Sequence, residues 1–202
     1  MPSIITHAAV PLALWCAADR GRIPPRLLVA GVIAAMLPDA DVLAFALHIP
    51  YADAFGHRGA SHSLLFACVL AAVAAVLAFF GSRRPLSAVS CQPRLAPTKA
   101  RPTVASTVQA AVFVFVCAAS HPLLDAMTSG GLGVALAWPW SEQRFFAPWR
   151  PIRVSPFAPQ FFSARGVATL LSELRWVWLP LATAVVAWKL IQPAPAAPRD
   201  PS

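Results

Sequence analysis

Charged side chains are scarce in this chain. Asp, Glu, Lys and Arg make up 12% of its 202 residues, whereas about a quarter of a typical soluble domain is charged. The hydrophobic content is 58% and the mean hydropathy is +0.64, which excludes an ordinary soluble globular domain. We therefore expect the protein to reside in a lipid bilayer.

Cysteine is also rare, and its placement is uninformative. The four cysteines show no C-x-x-C or other paired spacing, so neither a disulfide framework nor a cysteine zinc site is predicted. No Lys or Arg precedes Asp19, so a cleaved signal peptide is not expected. The net charge is +8, but the basic residues are spread over several loops, and nucleic-acid binding is not expected.

The apolar residues fall into runs that predict an all-α, polytopic membrane bundle. Residues 64–80, 104–119 and 176–191 predict three membrane helices. Residues 8–18 and 27–37 are too short for a full span and predict short, broken N-terminal helices, the second of which is expected to stop at Pro38. We expect residues 1–191 to form one domain and the Pro/Ala-rich residues 192–202 to be a disordered tail.

Histidine and aspartate residues gather where these runs end. If each apolar run crosses or partly crosses the bilayer, one side of the membrane receives His7, Asp39, Asp41, His57, His62, His121 and Asp125. The other side receives ten of the 16 basic residues: Arg20, Arg22, Arg26, Arg83, Arg84, Arg94, Lys99, Arg101, Lys189 and Arg199. The excess of positive charge predicts that this second side is cytoplasmic, so the histidines and aspartates would face the periplasm.

The seven histidines and aspartates have the composition of a metal site. Imidazole nitrogens and carboxylate oxygens are common ligands of zinc, with manganese or magnesium as alternatives. His121 and Asp125 lie four residues apart and would share one helix face if Pro122 begins a new helix. His57 and His62 need a turn at Gly59 to meet. Seven ligands exceed the four of a structural zinc site, so we predict two metals, or one metal with acid/base residues.

Each of these residues also has a simpler interpretation. Asp39 and Asp41 could stop one helix and cap the next turn, and His7 could be an interface histidine. His48 has no partner in spacing and is not included in the site.

The aromatic and arginine-rich residues 137–159 are expected to lie at the membrane interface. Arginines in and near this loop could bind an anionic substrate group: Arg58, Arg144, Arg150 and Arg153.

Several motifs resemble those of a known family. They are Thr6-His7, the segment LPDAD at 37–41, HRGASHS at 57–63 and HPLLDAMT at 121–128, followed by PWS at 139–141 and PWRPI at 148–152. This order resembles the YdjM-type family of bacterial inner-membrane proteins, described as membrane-bound metal-dependent hydrolases. The resemblance covers roughly residues 1–180, and it implies a multi-pass inner-membrane protein whose seven histidines and aspartates bind metal.

A more distant similarity is to zinc-dependent phospholipase C and the fungal single-strand nucleases. Those enzymes are helical, bind three zinc ions and cleave phosphodiesters. The present chain has no histidine after His121, so their second downstream His-x-x-x-Asp/Glu pair is missing. One or two metals are therefore expected here instead of three.

The sequence thus predicts a metal-dependent hydrolase acting on an ester at the membrane interface. A phosphoester, of a small molecule or a lipid, is the expected substrate. Asp41 is expected to ligate metal or transfer protons, and Arg58 to orient substrate or stabilise negative charge. A metal transporter or sensor using the same ligands is the main alternative. A bundle stapled by a closed four-ligand metal site is a third hypothesis.

Overall fold

The computed structural model describes residues 1–19, 22–81, 103–156 and 160–192. Within these ranges all regular elements are helical, and the β pairing is limited to two isolated bridges. The prediction of an all-α fold is confirmed. The α-helices are α1 (Ala9–Ala17), α2 (Pro25–Met36), α3 (Leu43–Ala46), α4 (Leu64–Gly81), α5 (Val104–Ala126), α6 (Ala164–Glu173) and α7 (Leu179–Ile191).

Four helical stretches are long and apolar enough to span a membrane. They are Pro25–Ala46, Leu64–Gly81, Val104–Ala126 and Ala164–Ile191. The first joins α2 to α3 through the 3-10 turn Leu37–Val42, and the last joins α6 to α7 through the π-helical turn Leu174–Trp178. The 3-10 turn Ile4–Ala8 and α1 together stay shorter than a span, as the N-terminal run predicts.

Pro38 was expected to end a helix and Pro122 to start one. Helix α2 does end at Met36, just before Pro38, whereas no helix starts at Pro122. Pro38 lies in the first turn of a 3-10 helix, where its missing N–H leaves no hydrogen bond unmade, so the chain continues helically. Pro122 lies inside α5, which runs unbroken to Ala126. The turns around Pro122 are buried, and their packing outweighs the loss of one backbone hydrogen bond.

The last apolar run also begins earlier than expected. The helical stretch starts at Ala164, not at residue 176. The sequence pattern obscures this because α6 carries Arg165, Thr169 and Glu173 among its apolar residues. Thr169 and Glu173 are buried against the rest of the protein, while Val167 and Leu170 are exposed.

The core is built around α5, which packs against α4 and α2. Small residues such as Ala34, Ala35, Ala67 and Ala118 fill the contact between these helices, and small side chains let membrane helices approach closely. Gly31 marks the tightest point of the α2–α5 contact. A Cβ atom there would collide with the ring of Phe113.

The outer surface of the bundle is apolar. Helix α4 exposes Val69, Val73, Val76 and Leu77, a spacing of three to four residues that makes one continuous helix face. Such a face suits contact with lipid acyl chains. The predicted cytoplasmic loop at 82–102 and nearly all of the predicted tail lie outside the described residues, so their location and disorder stay predictions.

Candidate metal centre

Four side chains converge at one end of the α2–α4–α5 core. Asp39, His62, His121 and Asp125 each place one ligand atom within 4.8 Å of the others. His121 and Asp125 come from one face of α5, as their spacing predicts, while Asp39 comes from the 3-10 turn after α2. His62 ends the short 3-10 helix Ala60–His62 that precedes α4.

The two histidines of this group turn the same nitrogen toward its centre. Their Nε2 atoms are 2.9 Å apart. His121 Nδ1 lies 2.7 Å from the carbonyl oxygen of Ala35, and since a carbonyl can only accept, this nitrogen carries the proton. His62 Nδ1 lies 3.1 Å from Asp41 Oδ2 and is protonated for the same reason. In each of the two rings, Nε2 is therefore the nitrogen that can accept a proton or bind a metal ion.

The carboxylates of Asp39 and Asp125 accept no well-aligned hydrogen bond from the described residues, although Arg58 Nε lies 2.9 Å from Asp125 Oδ2. Both are buried, and all four of their oxygens lack a hydrogen-bond partner among the described residues. An ionised carboxylate in such surroundings is strongly unfavourable unless a cation neutralises it. Contacts with the imidazoles are 3.4 Å for His121 Nε2 to Asp39 Oδ1 and 3.3 Å for His62 Nε2 to Asp125 Oδ2. Ligands about 2.0–2.1 Å from a tetrahedral zinc ion would be roughly 3.3 Å apart. These two contacts match that spacing, and the group, whose ligand atoms lie within 4.8 Å of one another, could hold a metal ion.

His7 lies directly beside this group. Its ring stacks on that of His121 with centroids 3.7 Å apart, and its Nε2 is 3.6 Å from both Asp39 Oδ2 and Asp125 Oδ1. Burial, and next the neighbouring His121, hold the pKa of His7 well below its usual range. His7 is therefore neutral, which is the form of histidine that binds metal.

Asp41 and His57 form a separate pair at the edge of the group. His57 Nδ1 is 2.5 Å from Asp41 Oδ1, while Asp41 Oδ2 accepts from Ser61 Oγ at 2.7 Å and from the backbone N–H of Arg58 at 2.9 Å. The Asp41 carboxylate thus holds two histidines, His57 and His62, through their Nδ1 atoms. This arrangement is typical of a carboxylate that orients metal-binding or proton-carrying imidazoles.

Burial lowers the pKa of His62, but the carboxylates of Asp125 and Asp41 outweigh it and raise the pKa to about 9. In the metal-free chain, His62 therefore carries a second proton at neutral pH. That proton lies on Nε2, within hydrogen-bond distance of His121 Nε2. A proton thus stands at the point where the ligand atoms converge, and a metal ion would have to displace it.

Arg58 points into the protein, toward the metal-ligand group. Its side chain is fully buried, and its Nε lies 2.9 Å from Asp125 Oδ2 in an ion pair that lacks hydrogen-bond geometry. The other two guanidinium nitrogens donate to the carbonyl of Gly130 and the hydroxyl of Thr128, each at 3.0 Å. All three nitrogens are engaged by the protein, so Arg58 neutralises and positions Asp125.

The backbone between His57 and His62 makes the turn that the two histidines require. The left-handed residue is Arg58, with φ of 63°, so the reversal does not depend on Gly59 having a positive φ. Gly59 is needed for a different reason, since a Cβ atom there would collide with the carbonyl oxygen of Ala54. The rings of His57 and His62 end with centroids 5.9 Å apart.

The chain matches the family model described as YdjM inner membrane protein over residues 1–196. The chain belongs to the YdjM family. It is 45% identical to the protein named inner membrane protein YbcI from Escherichia coli (strain K12) over 181 residues, which cover 89% of this chain and 92% of that protein. No solved structure matches. The family, the relative and the four apolar spans together make this an inner-membrane protein, as the sequence predicts.

In this YdjM-family protein, the seven predicted site residues divide into an inner and an outer set. The inner set surrounds one point and consists of Asp39, His62, His121 and Asp125, with His7 beside them. The outer set is the Asp41–His57 pair. Metal binding by any of the seven stays a prediction, but the separation into two sets could not be read from their spacing.

The other three arginines predicted to bind an anion lie in different surroundings. Arg144 is half-buried and donates to the backbone carbonyls of Tyr51, Asp53 and His57. It therefore braces the segment that leads to His57 and is not available to an anion. Arg150 and Arg153 are exposed, and Arg150 lies over the ring of Phe146 at 4.7 Å.

A buried acid that sequence reasoning missed fastens this region. Glu173, at the end of α6, accepts from the backbone N–H and hydroxyl of Ser3, each at 2.5 Å, and from the hydroxyl of Thr6 at 2.7 Å. Trp178 Nε1 donates to the same Thr6 hydroxyl at 3.1 Å. Thr6 immediately precedes His7, so this network sets the position of His7. The signal was an ionisable residue within an apolar helix, which is costly and marks a specific role.

Proposed function

We propose that this YdjM-family protein is a membrane-bound metal-dependent hydrolase that uses one divalent ion, most simply zinc. The observation that carries the proposal is the pair of buried carboxylates, Asp39 and Asp125, which share a point with two imidazole Nε2 atoms and form no hydrogen bond with the described residues. Two carboxylate oxygens and two imidazole nitrogens are a donor set that zinc accepts, with manganese or magnesium as alternatives.

Asp39, His62, His121 and Asp125 would hold the ion, with His7 in reach as a fifth ligand. A divalent ion bound there would lower the pKa of a coordinated water to near 7 and polarise a substrate oxygen. Arg58 keeps Asp125 ionised and fixed in place through their 2.9 Å contact. The Asp41 carboxylate fixes the tautomer of His62, so that its Nε2 faces the site.

The Asp41–His57 pair would carry protons. Because Asp41 accepts from His57 Nδ1, the lone pair of this imidazole resides on Nε2 and can take a proton from water. The Asp41 carboxylate keeps the imidazole oriented, as a general base requires. The Asp41 side chain retains 8% exposure while the inner carboxylates have 2% or less, so the pair forms the outward side of the site.

The substrate that fits best is a phosphoester at the membrane interface. The site lies where α4 begins and α5 ends, at the ends of two membrane-length helices. Exposed aromatic rings of Trp140 and Trp149 occur in the loop that follows α5, and such rings favour the headgroup region. Exposed arginines in the same loop match an anionic group.

The enclosure of the inner set favours a second candidate function. All five inner side chains are nearly or fully buried, and a closed four-ligand site is what a structural zinc ion requires. In that case the ion would staple α2, α4 and α5 together without turnover. The two candidates differ in what His57 does, because a staple has no need of a proton carrier.

The test combines metal analysis with a substrate panel on the full-length protein in detergent. We expect about one metal ion per chain, lost in His62→Ala and His121→Ala, and cleavage of bis-p-nitrophenyl phosphate or a phospholipid in preference to p-nitrophenyl butyrate. His57→Gln should keep the metal and lose turnover, whereas His48→Asn, an exposed histidine, should change neither. Metal retained in both alanine variants would overturn the ligand assignment. Bound metal with no turnover on any substrate would favour the structural ion.

A further inference from the structure

A cavity outside the metal-ligand group has two arginines in its lining. Its volume is about 280 Å³, and it is lined by Ser129, Arg153, Val154, Ser155, Pro156, Arg165 and Thr169. None of the seven predicted site residues lines it. We propose that this cavity binds a phosphate group, as the headgroup of an anionic lipid or as a soluble phosphate ester. The proposal does not depend on metal binding or on hydrolysis.

The charge of the cavity is positive and not neutralised. Arg153 and Arg165 both line it. In the described part of the chain, neither of them forms an ion pair with an acidic side chain. Two arginines facing one space repel each other unless an anion lies between them, and guanidinium pairs with phosphate through two parallel hydrogen bonds.

The backbone that carries these arginines is fixed. The N–H of Arg153 donates to Ser172 Oγ of α6 at 3.0 Å, and the N–H of Val154 donates to Ser129 Oγ at 3.4 Å. Thr169, with 2% exposure, forms part of the wall and bonds to the carbonyl of Arg165 at 3.0 Å. These hydrogen bonds join the segment around Arg153 to α6. The backbone positions of both arginines are therefore fixed.

The location of the cavity fits the phosphate layer of a membrane. Ser129 follows the end of the span Val104–Ala126, and Arg165 opens the span Ala164–Ile191. Apolar side chains lie next to the arginines, with Val154 on the cavity wall and Val167, Leu170 and Leu171 exposed on α6. A lipid would place its phosphate between the arginines and its acyl chains along this face. The volume is near the lower end of the 300–1,000 Å³ of small-molecule pockets, enough for a headgroup but not for a whole lipid.

The experiment measures binding to the full-length protein in a non-ionic detergent with EDTA present, so that no metal chemistry contributes. The probes are dioleoyl phosphatidylglycerol, dioleoyl glycerol as the same lipid without phosphate, and glycerol 3-phosphate as the phosphate without acyl chains. Native mass spectrometry counts the lipid adducts, and calorimetry measures glycerol 3-phosphate. The variants are Arg153→Gln/Arg165→Gln and, as the matched control, Arg150→Gln, which removes an exposed arginine that does not line the cavity.

We expect phosphatidylglycerol to bind the wild type and Arg150→Gln equally, and at least about tenfold more weakly to the double variant, because each arginine contributes charge-assisted hydrogen bonds. Dioleoyl glycerol should not bind. Binding of glycerol 3-phosphate with the same dependence on Arg153 and Arg165 would identify soluble phosphate esters as ligands, and its absence would identify the lipid. Equal binding by the wild type and the double variant, or no binding of either phosphate, would overturn the proposal. Thermal melting of both variants verifies that each is folded.

Discussion

Asp41 allows the clearest test of whether a residue binds the metal ion itself or only positions the residues that do. The sequence places it with the metal ligands, but its oxygens contact His57, Ser61, His62 and the backbone N–H of Arg58. We predict that Asp41→Asn weakens zinc binding without abolishing it. The amide has the size of the carboxylate and can keep its oxygen at the Oδ2 position, where Ser61, the N–H of Arg58 and His62 donate. Its NH₂ group then faces the protonated Nδ1 of His57, and one charge-assisted hydrogen bond is lost.

The expected size of the effect follows from that lost bond. A hydrogen bond to a charged group contributes about 1.5–3 kcal/mol, which corresponds to a roughly tenfold to hundredfold change in Kd. Replacement of a residue that orients a metal ligand has effects of the same size. By contrast, Asp125→Asn removes a ligand of the inner set and leaves Arg58 buried and unpaired, so zinc binding at one ion per chain should disappear.

The assay is competition for zinc against a chelating indicator at constant pH, with purified full-length protein. Asp53→Asn is the control, because Asp53 is an exposed acid in the same segment whose carboxylate only accepts from the N–H of Phe55. It should leave the zinc Kd unchanged. If Asp41→Asn loses the ion as completely as Asp125→Asn does, Asp41 is itself a ligand. If its Kd matches that of the wild type, the carboxylate does not support the site at all.

Three further predictions test the surroundings of the site. Arg58→Gln should destabilise the protein by about 3–5 kcal/mol, because it leaves Asp125 buried and unpaired; an unchanged melting temperature with lost turnover would instead make Arg58 a substrate contact. Glu173→Ala should lower the melting temperature and weaken metal binding through His7, because the buried donors of Ser3 and Thr6 lose their acceptor, at a cost of about 1–3 kcal/mol each. Glu173→Gln should retain most of the stability. Equal losses of stability in both variants would contradict this. The pKa of His62 is raised to about 9, so the contribution of protonated His62 to stability is complete below about pH 6.5 and is lost as the pH rises through 9. The melting temperature of the metal-free protein should therefore fall as the pH is raised from about 6.5 to 9. A melting temperature that does not fall would contradict the raised pKa of His62.

Much of the site was predictable because polar groups are expensive in a membrane protein. Histidines and aspartates at the ends of apolar runs identified all five inner residues and the Asp41–His57 pair. What spacing could not show is which way each side chain turns. Asp39 and Asp41 are two residues apart in a 3-10 turn, yet one carboxylate faces the buried group and the other faces its edge. Arg58 was predicted to orient substrate or stabilise negative charge, which stays a prediction, and its contact with Asp125 could not be read from the sequence.

The fold was predictable in class and less so in its boundaries. Continuous apolar runs identify α4 and the greater part of α5 because composition alone decides them. Pro122 misled the prediction because local propensity favours a break, while tertiary packing decides the outcome. Helix α6 was missed because Arg165, Thr169 and Glu173 interrupt its apolar pattern, and the partners that accommodate Thr169 and Glu173 lie far away in sequence, at Val154 and Ser3.

The Glu173 network has a consequence for the order in which the protein matures. The inner residues span positions 7 to 125, but the segment carrying His7 is held by Glu173 and Trp178. The segment that carries His7 therefore gains these hydrogen bonds only after Glu173 and Trp178 have been synthesised and have packed against it. Metal loading at the complete site would therefore follow insertion of the whole chain, and a protein truncated before residue 173 would lack a properly held His7. Folding of the last span thus completes the inner set of the site, although that span contributes none of the predicted ligands.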